Sequence, residues 1–586
     1  MSKLYFFYNA IFYLIVFVIC RYFFKQIASA DPIKVDGHDE KYFKHDVWIA
    51  AILYLLCTML WFYPCLGSLS SHLIGPAEDN MQHLWNIWWF HKAIVDHAGS
   101  LAYSKYIFYP EGSSLLFNSF SFYNLFLSIP LGFLFNPTLI YNLLILHTFL
   151  LSGIGAFLLI RYLTKDSYVS LLGGFIFAFN PSHFAHAPHH LELSSIQFIP
   201  LFILFFIKAL RGSSKKDLFL ASFFFFLNSF CNWNYMIFGL FFIGTSYIYL
   251  AIRRKNIILK DILIKSSVIV GATFVILSPW LLRMVILSMK YPGQGIEGGH
   301  DYYVADLYAL FTPDPYHWLA QWTPIKLLNT LFTGNNDWEK TVYLGLVNIV
   351  IVLITFKHIV QKTAKYFLGL IAGLIMAMGA SIHVLGFRIF ITLPYTIIKS
   401  LPLISNARCP ARYIVYVYLF LAIIISFAFK HLFDRYGKSN RNKCLLVLLI
   451  ALIFFDYFSV CNVTTKAYLP PCYSVIKKEN KQFGILDLSP YPDPATYMMY
   501  QTYHEIPIVQ GYLSRKIGKT LIDHLGYKDL QKQKAQLIES HIKYIVIHKF
   551  RLVVIGFDQI QLKINDYEDQ YKKIYEDADS IVLQVY

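Results

Sequence analysis

Glu78 and Asp79 open the run Gly75-Pro76-Ala77-Glu78-Asp79-Asn80-Met81-Gln82-His83-Leu84-Trp85-Asn86-Ile87-Trp88-Trp89, where groups able to move a proton or hold a phosphate lie close together. Pro76 suits the first position of a helix. On that helix Asp79, Gln82, His83 and Asn86 fall at i, i+3, i+4 and i+7 and share one face. Met81, Leu84, Trp85 and Trp88 take the other side, as in a helix lying in a membrane interface. The polar face has no Lys or Arg, unlike a plain solvated face. Acidic residues in a first turn also suit the helix dipole without further role. Catalysis and dipole compensation therefore both stand at this point.

Arg408 and Arg412 lie at i, i+4 around Pro410. Arginine suits bidentate contact with phosphate, and it equally anchors a span at the head-group layer. Arg283 and Lys290 read as anchors. The stretch Asn180-Pro181-Ser182-His183-Phe184-Ala185-His186-Ala187-Pro188-His189-His190-Leu191-Glu192 gathers four histidines and a glutamate. It admits a zinc or manganese site, contact with sugar or phosphate, or ordinary polar loop residues. Its two prolines exclude a regular helical array of ligands. Asp456 lies within an apolar run near one end, where a carboxylate has a partner, a function or a short path to the surface.

The elements that must position these groups are membrane spans. The 586 residues are 56% hydrophobic, 18% aromatic and only 15% charged, against about a quarter charged in soluble domains. Runs such as Trp48–Gly67, Leu139–Ile160 and Leu445–Val460 match the roughly 20 residues that a helix needs to cross a bilayer. The net charge of +16 is spread over short loops between spans, including Arg161 and Lys165, Lys208 and Arg211, and Lys357, Lys362 and Lys365. This is the positive-inside pattern, and it argues against a nucleic-acid partner.

Counting from these markers gives about twelve spans with both termini outside. Residues 1–47 hold an extra first span, Leu4–Phe24, and a linker. That run resembles a signal peptide with a cleavage site at Ala28-Ser29-Ala30, but it lacks a basic start and reads better as an anchor. Residues 48–460 form the membrane domain, with Val342–Phe356 and Phe367–Leu385 as separate spans and long outer loops at 68–137 and 288–341. Phe120–Phe135 and Phe387–Leu401 are expected at the interface. Residues 461–586 are expected to form a soluble outer α/β domain, with strands at Phe483–Leu488, Tyr544–His548 and Ile581–Val585 and a helix within Lys516–Ser540. Cys461 and Cys472 would share its side of the membrane, where they could pair.

Several motifs carry a resemblance to the GT-C glycosyltransferases, and within them to bacterial multi-pass proteins of that class. They are Glu78-Asp79-x-x-Gln82-His83-Leu84-Trp85, Phe108-Tyr109-Pro110-Glu111-Gly112-Ser113-Ser114, Gly174–Pro181 with His186, Tyr343-Leu344-Gly345, Leu401-Pro402-x-x-x-Asn406-x-Arg408-x-Pro410-x-Arg412, and His504 with Pro507, Gly511 and Tyr512. The resemblance covers all but the first span.

It implies a mainly α polytopic bundle that takes sugar from a polyprenyl-phosphate donor at the outer face of the cytoplasmic membrane. The acceptor would be a lipid or an envelope glycan. Such transfer needs a base for the acceptor hydroxyl and charge for the departing phosphate. Asp79 is the expected base, with Glu78 as its partner or a metal ligand, and inversion is the expected outcome. Arg408 and Arg412 would bind the donor phosphate, and Gln82, His83, His186, His189 and His504 the substrates. A divalent metal ion is possible as cofactor. His504 and Arg515 would help the C-terminal domain hold the acceptor. The rival reading is a non-catalytic transporter or envelope-assembly protein. A transporter is expected to bury ionisable residues near the midplane, whereas these gather at span ends.

Overall fold

A computed structural model describes residues 40–252, 256–292, 299–313, 317–322, 324–327, 338–400, 407–476, 482–489, 493–549 and 564–586 except 213 and 438, with residues 18, 21 and 22. The expected first span otherwise lies outside them. The helices begin with α1 (Glu40–Trp61), α2 (Asp79–Ile94), α3 (Phe122–Gly132), α4 (Pro137–Thr164), α5 (Ser167–Ala178), α6 (Pro181–His186) and α7 (Leu191–Ser194). They continue with α8 (Phe198–Arg211), α9 (Lys215–Cys231), α10 (Trp233–Ile252), α11 (Asn256–Lys290) and α12 (Leu346–Ala377). After α13 (Tyr395–Ile398), α14 (Ile414–Tyr436) and α15 (Asn440–Tyr457) complete the bundle.

Six helical segments among the described residues are long and apolar enough to cross a membrane: 137–164, 191–211, 233–251, 259–290, 346–377 and 410–436. Others expected as spans are shorter. The helix α5 has 12 residues and α9 has 17, below the roughly 20 of a full crossing. Asn180 ends the first of these by capping α6, its side chain accepting from His183 N at 2.9 Å.

The helix α12 differs from the two expected spans in having no break, since all 32 residues are helical. Yet it cannot be straight. The rings of Phe356 and Phe367 lie 5.4 Å apart, whereas eleven residues of straight helix separate them by about 16 Å. Both of its ends meet one half of α14: Tyr418 Oη donates to Tyr343 O at 2.5 Å, and a Cβ on Gly373 would stand 2.9 Å from Val417. Its middle meets the other half, with His358 stacked on His431 at 4.7 Å. The helix doubles back along α14, and Lys357, Lys362 and Lys365 fall at the fold. Across the bundle, Asp456 accepts from Tyr343 Oη at 2.5 Å and from Val347 N at 2.9 Å. It thus caps the first turn of α12, so the partnered reading of this carboxylate holds.

One end of the bundle is basic. Lys430 donates to Thr164 O, Arg211 to Tyr162 Oη at 3.3 Å and Lys265 to Ala209 O at 2.7 Å. The two lysines satisfy carbonyls left open at helix C-termini. The opposite end carries α2, which is buried on every side from Asn80 to Phe90. This corrects the expected interfacial helix. The apolar face meets protein instead of lipid, because the C-terminal domain covers it, and Trp85 Nε1 donates to Gln501 Oε1 at 2.7 Å. The α3 segment and residues 387–400 do keep exposed apolar side chains, including Phe133, Leu134, Phe387 and Phe390.

Among the described residues, ten strands form four small sheets: β1 (His72–Ile74), β2 (Tyr103–Ser104), β3 (Ser113–Ser114), β4 (Ile382–Val384), β5 (Phe387–Ile389), β6 (Thr464–Lys466), β7 (Gly484–Leu488), β8 (Ile542–His548), β9 (Lys572–Glu576) and β10 (Ser580–Gln584). The C-terminal sheet runs β7-β8-β10-β9, with β7 and β8 parallel. Around it lie α16 (Pro494–His504), α17 (Leu530–Glu539) and α18 (Ile564–Gln570). The expected helix in 516–540 is confined to α17. The first long loop is stitched to this domain: β1 pairs with β6, and Tyr109 N donates to Ile508 O at 3.0 Å. Cys461 and Cys472 are both free thiols. The neighbour of Cys461 is Cys65, whose thiol donates to its carbonyl at 3.2 Å, so the expected pair does not form.

Candidate active site

The site is built where α2 starts. Gly75 has φ +104°, and a Cβ there would lie 1.9 Å from the Pro188 carbonyl oxygen. Glycine is required, and its absence of side chain lets the histidine segment press against the acidic pair. A cavity of about 550 Å³ opens beside it, lined by Glu78, Asp79, His190, Glu339, Arg408 and Arg412, with the aromatic rings of Tyr303, Trp338 and Tyr512.

Asp79 is held at both oxygens. Tyr512 Oη donates to Oδ1 at 2.6 Å, and His190 Nδ1 lies 3.5 Å from Oδ2. Glu78 Oε2 lies 3.1 Å from Nδ1 of His189, whose ring stacks on Trp338 at 3.9 Å. Behind Asp79, His83 Nε2 meets Glu192 Oε2 at 2.8 Å, and His190 Nδ1 lies 3.7 Å from Glu192 Oε1. Burial lowers the His83 pKa, but the Glu192 charge, the bond to Glu192 and the Asp79 charge together outweigh it, and the net direction is upward. His190 goes down, because burial wins over the carboxylates of Glu192, Asp79 and Glu339 and Arg412 adds to it. One imidazole is thus biased toward its charged form and its neighbour toward the neutral one.

Ligand atoms of His83, His190 and Glu192 lie within 4.8 Å of one another, close enough to hold a cation. Two imidazoles and a carboxylate are a known donor set for zinc. His183 is different. Its nitrogens meet Ala178 O at 2.6 Å and Ser194 O at 2.8 Å, it stacks on Phe149 at 4.0 Å, and burial takes its pKa down to about 4. It is a core residue.

On the other side of the His190 ring, whose Nε2 lies 4.0 Å from Glu339 Oε1, Arg412 grips Glu339 with two hydrogen bonds, Nε to Oε2 at 3.0 Å and Nη2 to Oε1. His186 Nε2 joins Glu339 Oε2 at 3.3 Å. Burial would raise the Glu339 pKa, but the Arg412 charge and bonds from His186 and Arg412 hold it well below the usual carboxylate range. Arg408 lies over the Tyr303 ring at 5.2 Å.

Of the residues expected from sequence, Glu78, Asp79, Arg408 and Arg412 line the cavity. His83, His186 and His189 stand directly behind its carboxylates. Gln82 points instead at the frame, donating to Asn118 Oδ1 at 3.0 Å and Tyr512 O at 3.1 Å. His504 is elsewhere. It ends the 11-residue α16, whose first residues line the cavity, roughly 15 Å along the axis. There it accepts from Ile506 N at 3.0 Å and stacks on Tyr473 at 4.8 Å. Sequence reasoning left His190, Glu192, Trp338, Glu339 and Tyr512 without roles. His190 and Glu192 stood in the histidine stretch already, whereas Trp338 and Glu339 sit in a loop with no periodicity to single them out.

Two solved structures share this architecture. The mycobacterial arabinofuranosyltransferase AftD superposes with a TM-score of 0.53 and 11% identity, over 94% of this chain and 40% of that one. The Archaeoglobus fulgidus oligosaccharyltransferase in its apo form gives 0.50 and 10%, over 87% and 70%. This chain thus spans less than half of the mycobacterial protein. At such identity the likeness shows the fold, that of the GT-C membrane proteins with a C-terminal α/β domain. No curated protein matches the sequence. Over residues 49–457 the sequence fits a family described as a domain of unknown function, DUF6311, and the chain belongs to that family.

Proposed function

We propose that the protein is a membrane glycosyltransferase, taking sugar from a polyprenyl-phosphate donor to a lipid-linked or envelope acceptor at the outer face of the cytoplasmic membrane. The observation that carries this reading is the pairing of Glu78 and Asp79 with Arg408 and Arg412 around one cavity. Asp79 takes the proton of the acceptor hydroxyl as its oxygen attacks the anomeric carbon. The bond to the lipid phosphate breaks, with the electron pair leaving on phosphate. A phosphate leaves well without an acid, so one carboxylate is enough. Arg408 and Arg412 give that charge a partner, and attack opposite the leaving group inverts the anomeric centre. The two solved structures of the same fold, an arabinofuranosyltransferase and an oligosaccharyltransferase, support this class of chemistry.

Purified protein incubated with a lipid-linked sugar extract is expected to yield glycosylated product and free polyprenyl phosphate by mass spectrometry. No product from any donor fraction, together with an unchanged envelope glycan profile in a deletion strain, would remove the enzyme reading.

The same reading places a divalent cation on His83, His190 and Glu192. When bound, it would supply positive charge behind Asp79, on the side where His190 meets that carboxylate. Protein purified without chelator is expected to carry roughly one equivalent of metal by elemental analysis and to lose thermal stability on chelation. Glu192→Gln should lower both the metal content and the response to chelator. Wild-type protein with no bound metal, unmoved by added zinc, manganese or magnesium, rejects the site.

A further inference from the structure

We infer that Tyr512, carried by the C-terminal domain, is a positioning residue for Asp79. The inference rests on the proposed role of Asp79 as base and assigns the C-terminal domain a part in setting it.

The contact is 2.6 Å from the Tyr512 phenol to Asp79 Oδ1. A phenol donating to a carboxylate makes a short, charge-assisted bond. It fixes the torsion of the carboxylate and leaves Oδ2 as the oxygen turned to His190. Tyr512 is itself fixed from several elements. Its carbonyl accepts from Gln82 Nε2 at 3.1 Å, and its N–H points at Met498 Sδ of α16 at 3.1 Å. Gln82 lies three residues after Asp79, on the same face of α2. One helical turn therefore grips Tyr512 twice, by its backbone through Gln82 and by its phenol through Asp79. The next residue back, Gly511, is pressed against Phe108, where a Cβ would meet the ring at 2.6 Å. Phe108 N in turn donates to Gln510 O at 3.2 Å. The first long loop, α2 and α16 all specify where this phenol stands.

A residue placed by three elements, with its phenol on a carboxylate, does more than fill space. Holding Oδ1 removes rotamers in which the base points away from the cavity, and orientation of a reacting group is worth several powers of ten in favourable cases. Glu78 next to it is a built-in control, since its partner is His189.

The test is Tyr512→Phe, which keeps the ring and deletes only the hydroxyl. A water-soluble carbodiimide is used to label carboxylates in intact protein, and labelling at Asp79 and Glu78 is compared by peptide mass spectrometry. Asp79 is expected to react several-fold faster in the variant, with Glu78 unchanged. A domain that had simply come loose would accelerate both. With an active donor, the variant should lose about tenfold in kcat at constant KM, the size of one bond to a charged group. An unchanged Asp79-to-Glu78 ratio overturns the inference whether or not transfer is detected. Absence of transfer by wild type counts against the proposed function alone, because the labelling ratio still reports the contact.

Discussion

Asp79→Asn is expected to bring sugar transfer to a near halt while donor binding persists. Asparagine keeps the shape of the side chain, and its amide oxygen still accepts from the Tyr512 phenol. What it loses is the capacity to take a proton. Removing a general base costs roughly 10²- to 10⁴-fold in rate, with little effect on ground-state affinity for a donor whose phosphate would be held by Arg408 and Arg412. Initial rates by product mass spectrometry and donor binding by thermal shift check the two halves separately. Wild-type-like transfer removes Asp79 as the base. Loss of both transfer and donor binding would make it a binding residue instead. Glu78→Gln should have a smaller effect, since Glu78 is about 42% exposed and faces His189.

Much of this arrangement was legible beforehand, and the reasons differ by element. The acidic pair and Gln82–His83 could be placed on one face because a helix forces side chains three and four apart together. Arg408 and Arg412 could be placed at the same end as the acidic pair because both lie where a span begins. The spans were readable from apolar runs, and the fold of α12 from three lysines that a bilayer core would not accept. The α2 error has a single cause. An apolar face says that something covers it, and sequence does not tell lipid from a domain 400 residues further on. His504 failed similarly: it belongs to a helix that reaches the cavity, but at the wrong end. Trp338 and Glu339 had no signal at all, because a loop residue that folds back onto a helix leaves no period in the chain. Tyr512 was visible only as part of a motif, and its role needed the 2.6 Å contact.

Glu339→Ala is expected to be the most destabilising single change at the site. Glu339 is buried, with its side chain only 4% exposed, and it joins Arg412 and His186. Removing one partner from a buried ion pair leaves the other charge unpaired, at a cost of about 3–5 kcal/mol. Arg412 is 18% exposed toward the cavity, so water can recover part of this and the effect should fall at the low end. Thermal unfolding in detergent, followed by tryptophan fluorescence, measures it, and Trp338 next door adds a local signal. The double variant Glu339→Leu with Arg412→Met should regain most of the loss, since replacing a whole buried pair by apolar side chains is near neutral. The pH dependence has a definite sign. Because the native Glu339 carboxyl lies well below the unfolded value of about 4.3, its stabilisation is complete above that pH and is lost as pH falls toward the native value. The difference in stability between wild type and Glu339→Ala should therefore be constant at neutral pH and shrink in acid. A single variant as stable as wild type, or a double variant no better than the single, would show that the pair does not hold the strap bearing Trp338 and Glu339 against the bundle.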